Sequence, residues 1–371
     1  MSSALFCNAL FCNSAITFKY FQPYLLPMKL SEVKKHLKKE KIDAIVLFNK
    51  SPSFNYFFGG DFEHGMMFLT RKAAFLFISV LHEPRVPGFK VIVWEKFKPE
   101  LESFIKKNRI KKVGVDNNSL LVRQKSFLRK YFKLIDASKL LAELRQSKTE
   151  EEIARTRKAC KITDDIFSKI IANFKNFKTE GDILRFIKIK ALEAGAEISF
   201  EPIVASGKNA VVAHHNPNSK LGKGFLIIDM GVKYKGYMSD MTRTLYLGKP
   251  SQKEVELYNK VLGIQRACIE KANINLSAER LYKYSLKLFG KDAKYFVHGL
   301  GHGIGIEIHE KPSFGLKSKD FLTKGSIFTI EPGYYNQKTG IGIRIEDDIL
   351  LLGNKKEVLT KSTKKLICLK A

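Results

Sequence analysis

The sequence has few acidic residues and few cysteines, and both shortages exclude classes of protein. Its 371 residues include 37 Asp and Glu against 65 Lys and Arg, which gives a formal charge of +28 at pH 7. The five cysteines are odd in number and scattered, and no C-x-x-C pair occurs. We therefore expect neither a disulfide framework nor a cysteine metal site, and we expect a reducing, cytoplasmic location.

Long apolar runs are also missing. No stretch of 18 or more apolar residues occurs, so no membrane span is expected. Residues 1–27 are apolar and contain a short repeat, ALFCN at 4–8 and again at 9–13, but their first basic residue is Lys19. A signal peptide would carry positive charge first and a small-residue cleavage site afterwards. We expect residues 1–27 to be an N-terminal extension, either disordered or the product of an early start codon.

The excess of lysine raises the question of nucleic-acid binding. The basic residues are spread along the whole chain, and no basic run is interleaved with aromatic residues. No zinc-finger or RNP-type pattern occurs either. The favoured interpretation is a lysine-rich surface without a nucleic-acid partner.

Residues 28–145 alternate between short apolar segments and helical patterns. Strands are predicted at 43–48, 90–94 and 112–116, further apolar segments occur at 55–58, 66–69 and 74–78, and helices are predicted near 99–107 and from 120. This alternation predicts a mixed α/β domain. His64 and His82 are isolated in this part of the chain, so we interpret them as surface or packing residues rather than ligands.

The sequence pattern of residues 146–371 differs, and it predicts helices in pairs and strands that end in acidic residues. Overlapping capping boxes at 147–152 predict the start of a helix that runs to Asn173. Further helices are predicted at 182–194, 254–272 and 278–288, and strands at 197–200, 225–229, 326–331 and 341–346. This half therefore predicts an α+β domain.

The segment 298–310, HGLGHGIGIEIHE, concentrates three of the eight histidines. Glycine fills every second position from 299 to 305, and each glycine weakens a helix by about 1 kcal/mol. His298 and His302 are therefore not expected on a helix, although they are four residues apart. Alternating glycine predicts an extended backbone that something approaches closely. Taken alone, a glycine-rich strand with incidental histidines remains an alternative.

Four acidic residues end or follow apolar runs: Asp229, Asp240, Glu331 and Glu346. A buried carboxylate is costly unless it is paired or binds a metal. The spacing of Asp229 and Asp240 suits a bent or hairpin-linked strand pair that brings both acids together. Each acid alone could be an ordinary ion-pair residue, but together with a histidine in a glycine-lined strand they predict a metal site.

These segments resemble the metal-dependent proline peptidases of the pita-bread fold, which include prolidase, aminopeptidase P and, more distantly, methionine aminopeptidase. Four motifs match in order, at residues 206–214, 228–244, 298–310 and 329–346, and residues 144–152 resemble the entry into the family's catalytic domain. The resemblance covers residues 28–371. It implies a creatinase-type α/β N-terminal domain at 28–145 and an α+β pita-bread (creatinase/aminopeptidase-like) catalytic domain at 146–371.

The resemblance also implies the metal ligands and the reaction. The implied ligands of two divalent ions are Asp229, Asp240, His302, Glu331 and Glu346. Four carboxylates and one imidazole favour Mn²⁺, with Co²⁺, Zn²⁺ or Fe²⁺ as alternatives. The implied reaction is cleavage on the N-terminal side of proline by a hydroxide that bridges the ions, as in an Xaa-Pro aminopeptidase or dipeptidase. The alternating glycines would leave room for the ions and the peptide.

Further residues receive roles from the same resemblance. Glu331 would carry a proton toward the proline nitrogen, and His309 and His214 would hydrogen-bond the developing oxyanion and the substrate backbone. His298 and Arg344 would shape the pocket, or meet the substrate carboxylate or a neighbouring acid. One departure from the family pattern is a slightly shorter segment after His214. The adjacent His215 leaves open which of the two histidines enters the site.

Two other functions stay open at this point. A non-catalytic pita-bread module that binds RNA or protein would fit the positive charge, but the complete ligand set argues against it. A methionine aminopeptidase would usually lack both the N-terminal domain and the ending at 309–310. Because family members are commonly dimers or tetramers, we expect a homodimer or homotetramer. The choice between dipeptidase and aminopeptidase is left open.

Overall fold

The structure is a computed structural model that describes residues 25–60, 62, 65–81, 86–353 and 355–370. The predicted extension lies outside these residues except for 25–27, which begin the first helix. His64 and His82 also lie outside them, so their predicted surface or packing role stays a prediction. No helix in the described ranges is long and apolar enough to cross a membrane.

The helices and strands form two structural units that follow one another along the chain. The helices are α1 Leu25–Lys39, α2 Pro52–Phe58, α3 Phe97–Asn108, α4 Val122–Leu128, α5 Ser138–Gln146, α6 Glu150–Ala172, α7 Glu180–Glu193, α8 Gln252–Lys271 and α9 Ala278–Phe289. Short 3-10 turns are Phe174–Asn176, Gly207–Val211 and Gly290–Tyr295. The strands are β1 Ala44–Phe48, β2 Met66–Thr70, β3 Ala74–Ser79, β4 Lys90–Trp94, β5 Lys112–Val115, β6 Lys133–Asp136, β7 Glu197–Ile198, β8 Ile203–Ser206, β9 Gly224–Met230, β10 Val232–Tyr234, β11 Tyr237–Met238, β12 Met241–Leu247, β13 Gly301–Gly303, β14 Glu310–Phe314, β15 Ile327–Ile330, β16 Gly333–Asn336, β17 Ile341–Arg344, β18 Asp347–Leu352, β19 Lys355–Val358 and β20 Cys368–Leu369.

The first unit is a six-stranded mixed sheet in the order β4-β3-β2-β1-β5-β6. Successive side chains of a strand point to opposite faces. In β1, Ile45 and Leu47 therefore join one apolar core, whereas Ala44 and Val46 join the other. Burial on both faces explains why the strand is a continuous apolar run rather than an alternating one. The apolar segment 55–58 belongs to helix α2, and β6 and α5 were not predicted.

The second unit begins with the predicted capping box. Thr149 Oγ1 accepts from the backbone N–H of Glu152 at 3.4 Å, and the Glu152 carboxylate accepts from the Thr149 N–H at 2.9 Å. These reciprocal bonds satisfy two backbone donors at the start of the helix. Helix α6 then runs to Ala172, so its prediction from the sequence is confirmed to within a residue.

Strands β8, β9 and β12 form the part of this unit that carries the first two acids. β9 pairs antiparallel with β12, and Asp229 lies opposite Thr242. The hairpin β10–β11 fills the chain between them. Asp229 and Asp240 therefore lie at the same end of one strand pair, as the hairpin prediction required.

Strand β13 is shorter than the glycine pattern suggested, and its glycines serve a different purpose. It spans only Gly301–Gly303, and bends follow it. A Cβ atom on Gly301 would lie 2.2 Å from the carbonyl oxygen of Thr329, and one on Gly303 would lie 2.0 Å from that of Lys311. We expected these glycines to make room for ions and a peptide, and this was wrong. The space beside Gly301 and Gly303 is occupied by the backbone of the neighbouring strands β15 and β14.

Candidate metal centre

One cavity of about 900 Å³ gathers every site residue that the sequence predicted. It lies in the second unit, where the ends of the strands converge. The predicted residues along its wall are His214, Asp229, Asp240, His298, His302, His309, Glu331, Arg344 and Glu346. Residues that are separated by more than a hundred positions in the sequence therefore line the same cavity.

Three of these residues form a compact group of possible metal ligands. Asp240, His302 and Glu346 each offer a ligand atom, and these atoms all lie within 4.8 Å of one another. Nε2 of His302 lies 3.6 Å from Asp240 Oδ2 and 3.4 Å from Glu331 Oε1. One imidazole nitrogen thus faces two carboxylates at a spacing that a divalent cation could bridge.

Hydrogen bonds hold the Glu346 carboxylate and the backbone of Asp240. Thr242 donates its hydroxyl to Glu346 Oε2 at 2.7 Å, and the Glu346 N–H donates to the Thr242 carbonyl at 3.1 Å. The N–H of Asp240 donates to Asp348 Oδ2 at 2.9 Å. The carboxylate of Glu346 and the backbone of Asp240 are therefore held in place by neighbouring residues.

The hydrogen bonds of His302 leave one particular nitrogen free for a metal. Its Nδ1 lies 3.2 Å from the carbonyl oxygen of Gly303, which assigns the proton to Nδ1 and the lone pair to Nε2. Burial, with a smaller effect of His309, lowers the pKa of His302 to about 4. The ring is therefore neutral at pH 7, which is the state in which histidine binds metals.

Three buried carboxylate oxygens around the cavity have no hydrogen-bond partner within the described residues: Asp229 Oδ1, Asp240 Oδ1 and Glu346 Oε1. Burial, and then the neighbouring acids, raise the pKa of Asp240 and of Glu346 well above their usual range. Buried polar atoms normally have partners, and unpaired buried charge is costly. Bound cations would give these oxygens partners, and Asp240 and Glu346 already belong to the compact ligand group, so this set of residues fits a divalent metal.

Arg344 contacts a neighbouring acid, which was one of its predicted alternatives. Its Nη2 donates to Asp229 Oδ2 at 2.7 Å, and its Nη1 donates to the hydroxyl of Tyr335 at 2.6 Å. Its Nε donates to Thr242 Oγ1 at 3.1 Å. Arg344 therefore holds one oxygen of Asp229, Oδ2, and the other, Oδ1, has no hydrogen-bond partner among the described residues.

Glu331 lies beside His302 in a less polar environment than a surface glutamate. Burial raises its pKa to about 7, although the nearby Arg344 acts in the opposite direction. Thr329 donates its hydroxyl to Glu331 Oε1 at 3.3 Å. A carboxyl group with such a pKa can both take up and release a proton near neutral pH.

The remaining histidines differ in what they bind. The two ring nitrogens of His298 lie 2.8 Å from the Gly299 carbonyl and 3.1 Å from the Tyr335 hydroxyl. His309 is exposed to the cavity, and its ring centroid lies 4.3 Å from that of His302. His298 is thus held by the protein, whereas His309 is exposed where a ligand would bind.

The uncertainty between His214 and His215 is reduced by their contacts. Nε2 of His215 lies 2.8 Å from Glu180 Oε2, and the His215 side chain is only 14% exposed. His214 is exposed, and a charge on it would lower the pKa of both His298 and His309. His215 is therefore bound to Glu180, and His214 is the histidine presented to the cavity.

Sequence reasoning missed several residues that position the site. Among them are Thr242, Asp348, Tyr335 and Glu180, none of which lies at the end of an apolar run. Asp348 could have been found, because it is two residues from Glu346 and acids two apart share one face of an extended chain. Glu180 resembles an ordinary acidic residue in the first turn of a helix, so the sequence around it does not indicate a role in the site.

Comparison with known proteins gives consistent results over both units. The model of "Metallopeptidase family M24" matches residues 154–352, and that of the "Creatinase/Prolidase N-terminal domain" matches residues 29–147. An Xaa-Pro dipeptidase of Pyrococcus horikoshii is 31% identical over 350 residues, which is 91% of this chain and 98% of that protein.

Solved structures resemble the fold over nearly the whole chain. The Xaa-Pro dipeptidase from Bacillus anthracis has a TM-score of 0.87 and 30% identity, and the match covers 93% of this chain and 100% of that one. The X-Pro aminopeptidase from Thermotoga maritima has a TM-score of 0.82, with coverage of 90% and 100%. Its identity is 24%, so it bears on the fold alone. The predicted fold class, an α/β domain followed by an α+β pita-bread domain, is confirmed.

Proposed function

We propose, because this chain belongs to metallopeptidase family M24, that it is a metal-dependent peptidase that cleaves the bond on the N-terminal side of proline. One observation carries the proposal: three unpartnered, buried carboxylate oxygens converge with the Nε2 face of His302 on a single cavity. The similarity to Xaa-Pro dipeptidases over more than nine-tenths of the chain supports the substrate class.

We propose that two divalent ions bind here, with Mn²⁺ favoured over Co²⁺, Zn²⁺ and Fe²⁺ because oxygen ligands dominate. The proposed ligands are Asp229, Asp240, His302, Glu331 and Glu346. When bound, such ions would lower the pKa of a coordinated water and polarise the scissile carbonyl.

The proposed proton carrier is Glu331. An Xaa-Pro bond is a tertiary amide without an N–H. As in any amide hydrolysis, the leaving nitrogen must receive a proton before it departs. Glu331 would take a proton from the attacking water and deliver it to that nitrogen. The distance of 3.4 Å between Glu331 Oε1 and His302 Nε2 supports this role.

The proposed substrate contacts are His214 and His309, both exposed to the cavity. An imidazole N–H there would hydrogen-bond the developing oxyanion or the substrate backbone. We assign His298 and Arg344 to orientation of the site, because their donors already contact Tyr335, Gly299 and Asp229.

The proposal extends to the organisation of the chain. We propose a creatinase-type domain at 28–145, a catalytic domain at 146–371, and an extension at 1–27 that is dispensable for activity. We also propose a cytoplasmic homodimer or homotetramer that acts on proline-containing peptides and binds neither nucleic acid nor membrane.

The test is peptide cleavage by purified protein supplied with Mn²⁺. Release of proline from Ala-Pro, or of alanine from Ala-Pro-Ala, is expected, and the ratio of the two rates distinguishes a dipeptidase from an aminopeptidase. Asp240→Asn and His302→Ala should abolish cleavage while circular dichroism stays native. Cleavage of Met-Ala-Ser but not of either proline peptide would instead support a methionine aminopeptidase. Unchanged cleavage in both variants would reject the site.

A further inference from the structure

Glu180 is a fully buried carboxylate that binds a single segment of the chain. Its Oε1 accepts from the N–H and the hydroxyl of Ser206, at 2.8 and 2.9 Å, and from Asn209 Nδ2 at 3.0 Å. Its Oε2 lies 2.8 Å from His215 Nε2 and accepts from the Ser219 N–H at 3.3 Å. Its side chain is 0% exposed. Five polar groups between residues 206 and 219 thus contact one carboxylate.

The same segment has a second attachment on the other side of His214. Arg344 Nη1 lies 3.3 Å from the carbonyl oxygen of Ala213, and the same guanidinium binds Asp229. His214 is therefore flanked by two held neighbours, Ala213 through Arg344 and His215 through Glu180. Because both neighbours of His214 are held, the backbone of His214 has little freedom to move, although its side chain is exposed.

We propose that Glu180 is a positioning residue for the peptidase reaction, which acts by binding His215 and the 206–219 segment so that His214 projects into the cavity. This inference rests on the function proposed above, and it adds a residue that lies outside the cavity wall. Glu180 itself contacts neither the substrate nor the proposed metal ligands.

The chemistry of the five contacts requires a carboxylate at position 180. Burial alone would raise the pKa of Glu180, but hydrogen bonds from Asn209, Ser206 and His215 hold it below the usual range. A glutamine would have one accepting oxygen and one NH₂ group. In either amide orientation, the NH₂ group would face the N–H of Ser206 or of Ser219, so one buried donor would lose its acceptor.

The first experiment is a double-mutant cycle between Glu180 and His214. Glu180→Gln should lower kcat by about 10- to 100-fold with little change in KM, because misplacing a group that acts on the transition state affects kcat. In the His214→Ala background, the same substitution should change kcat by less than about 2-fold. An equal loss in both backgrounds would overturn the proposal, since Glu180 would then act independently of His214.

The second pair of variants tests the His215 contact without altering Glu180. His215→Gln keeps a donor toward the carboxylate, whereas His215→Leu removes it. The first should retain most of kcat and the second should resemble Glu180→Gln. Equal kcat values for both variants would contradict the proposed route through His215.

A matched control separates positioning from loss of stability. Glu254 also lies in the first turn of a helix, and it accepts three hydrogen bonds, from the N–H and hydroxyl of Ser251 and from the hydroxyl of Tyr246. Glu254→Gln should lower the melting temperature while kcat stays within about 2-fold of the parent protein. A loss of kcat equal to that of Glu180→Gln would mean that general destabilisation explains both.

Hydrogen–deuterium exchange provides a readout that is independent of catalysis. Exchange across 207–219 should accelerate in Glu180→Gln and in His215→Leu, and stay unchanged in Glu254→Gln. Unchanged exchange in the first two variants would overturn the positioning role. If the parent protein cleaved no Xaa-Pro peptide, the proposed function would fail, and the exchange data would still decide whether Glu180 holds this segment.

Discussion

Nζ of Lys148 lies 3.2 Å from Oε2 of Glu310, and the two side chains are only 1% and 2% exposed. This buried ion pair joins the start of the second unit to the residue that follows His309. The other oxygen of Glu310 accepts from the N–H groups of Ile306 and Glu307, at 3.0 and 3.1 Å. The pair therefore fixes the bend that presents His309 to the cavity.

We predict that Lys148→Met destabilises the protein by about 3 kcal/mol, because it leaves the buried Glu310 carboxylate with only the more distant Arg145, whose Nε lies 3.9 Å from Glu310 Oε1. Adding Glu310→Gln in the same chain should recover part of that loss. Urea unfolding of the single and double variants measures both effects. Lys35→Met is the control, because the Lys35–Glu32 pair is largely exposed and should contribute under about 1 kcal/mol. Equal losses for the buried and the exposed pair would contradict the prediction.

The metal-free protein should lose stability as the pH rises from about 6.5 to 8. In the folded state, burial raises the pKa of Glu331 to about 7 and that of Asp348 to about 8, whereas unfolded carboxyl groups titrate near 4. The folded state therefore binds more protons in this window, and stability falls by up to about 1.4 kcal/mol per pH unit for each proton. His298 and His302 have lowered pKa values and act in the opposite direction only below about 6.5.

The measurement is the urea midpoint at pH 6.5 and at pH 8, first in chelator and then with Mn²⁺. Metal should raise the midpoint more at pH 8, where the carboxylates are ionised, so the pH dependence should shrink in its presence. A metal-free midpoint that rises with pH would refute the sign of the prediction. Asp348→Asn should weaken the dependence, because it removes one of the titrating groups.

Arg344→Lys should weaken metal binding by about 10- to 100-fold, although it conserves charge. The planar guanidinium contacts Asp229, Tyr335 and Thr242 at once, and a lysine ammonium cannot reproduce that geometry. Tyr335→Phe removes one of the three Arg344 contacts, together with the contact to His298, and should have a much smaller effect. Competition with a metal-sensitive dye measures both affinities. Similar affinities for Arg344→Lys and the parent protein would mean that Asp229 needs no partner.

Patterns of the sequence were sufficient for the parts of the fold that depend on local chemistry. The capping box at Thr149 predicted the start of α6, and the spacing of Asp229 and Asp240 predicted a strand pair with a hairpin. The ligand set itself came from motif resemblance, not from spacing. Local patterns are informative where one helix turn or one strand pair decides the outcome.

Contacts between distant segments were not predictable in this way. The glycines near His302 were expected to make room for a ligand, yet Gly303 faces the backbone of Lys311, which only the sheet order reveals. Glu180 has the same sequence context as any acid in a first helical turn. Its four partner residues lie 26 to 39 positions away in the sequence, so its role follows from tertiary packing alone.

Substitutions of Asp348 can test whether its role is to accept hydrogen bonds or to carry a negative charge. Its Oδ2 accepts from the N–H of Asp240 at 2.9 Å and from the thiol of Cys160 at 3.3 Å. Asp348→Asn keeps an accepting oxygen and should hold kcat within about 3-fold, because a neutral acceptor is enough for a backbone N–H.

Asp348→Ala leaves that buried N–H without an acceptor, which costs about 1–3 kcal/mol and frees Asp240 to shift. We therefore expect it to lose at least about 10-fold in metal affinity, which dye competition measures. Equal losses in the two Asp348 variants would show that the negative charge, and not the hydrogen bond, holds Asp240 in place. A loss confined to the alanine variant would show that backbone geometry at Asp240 sets the metal site.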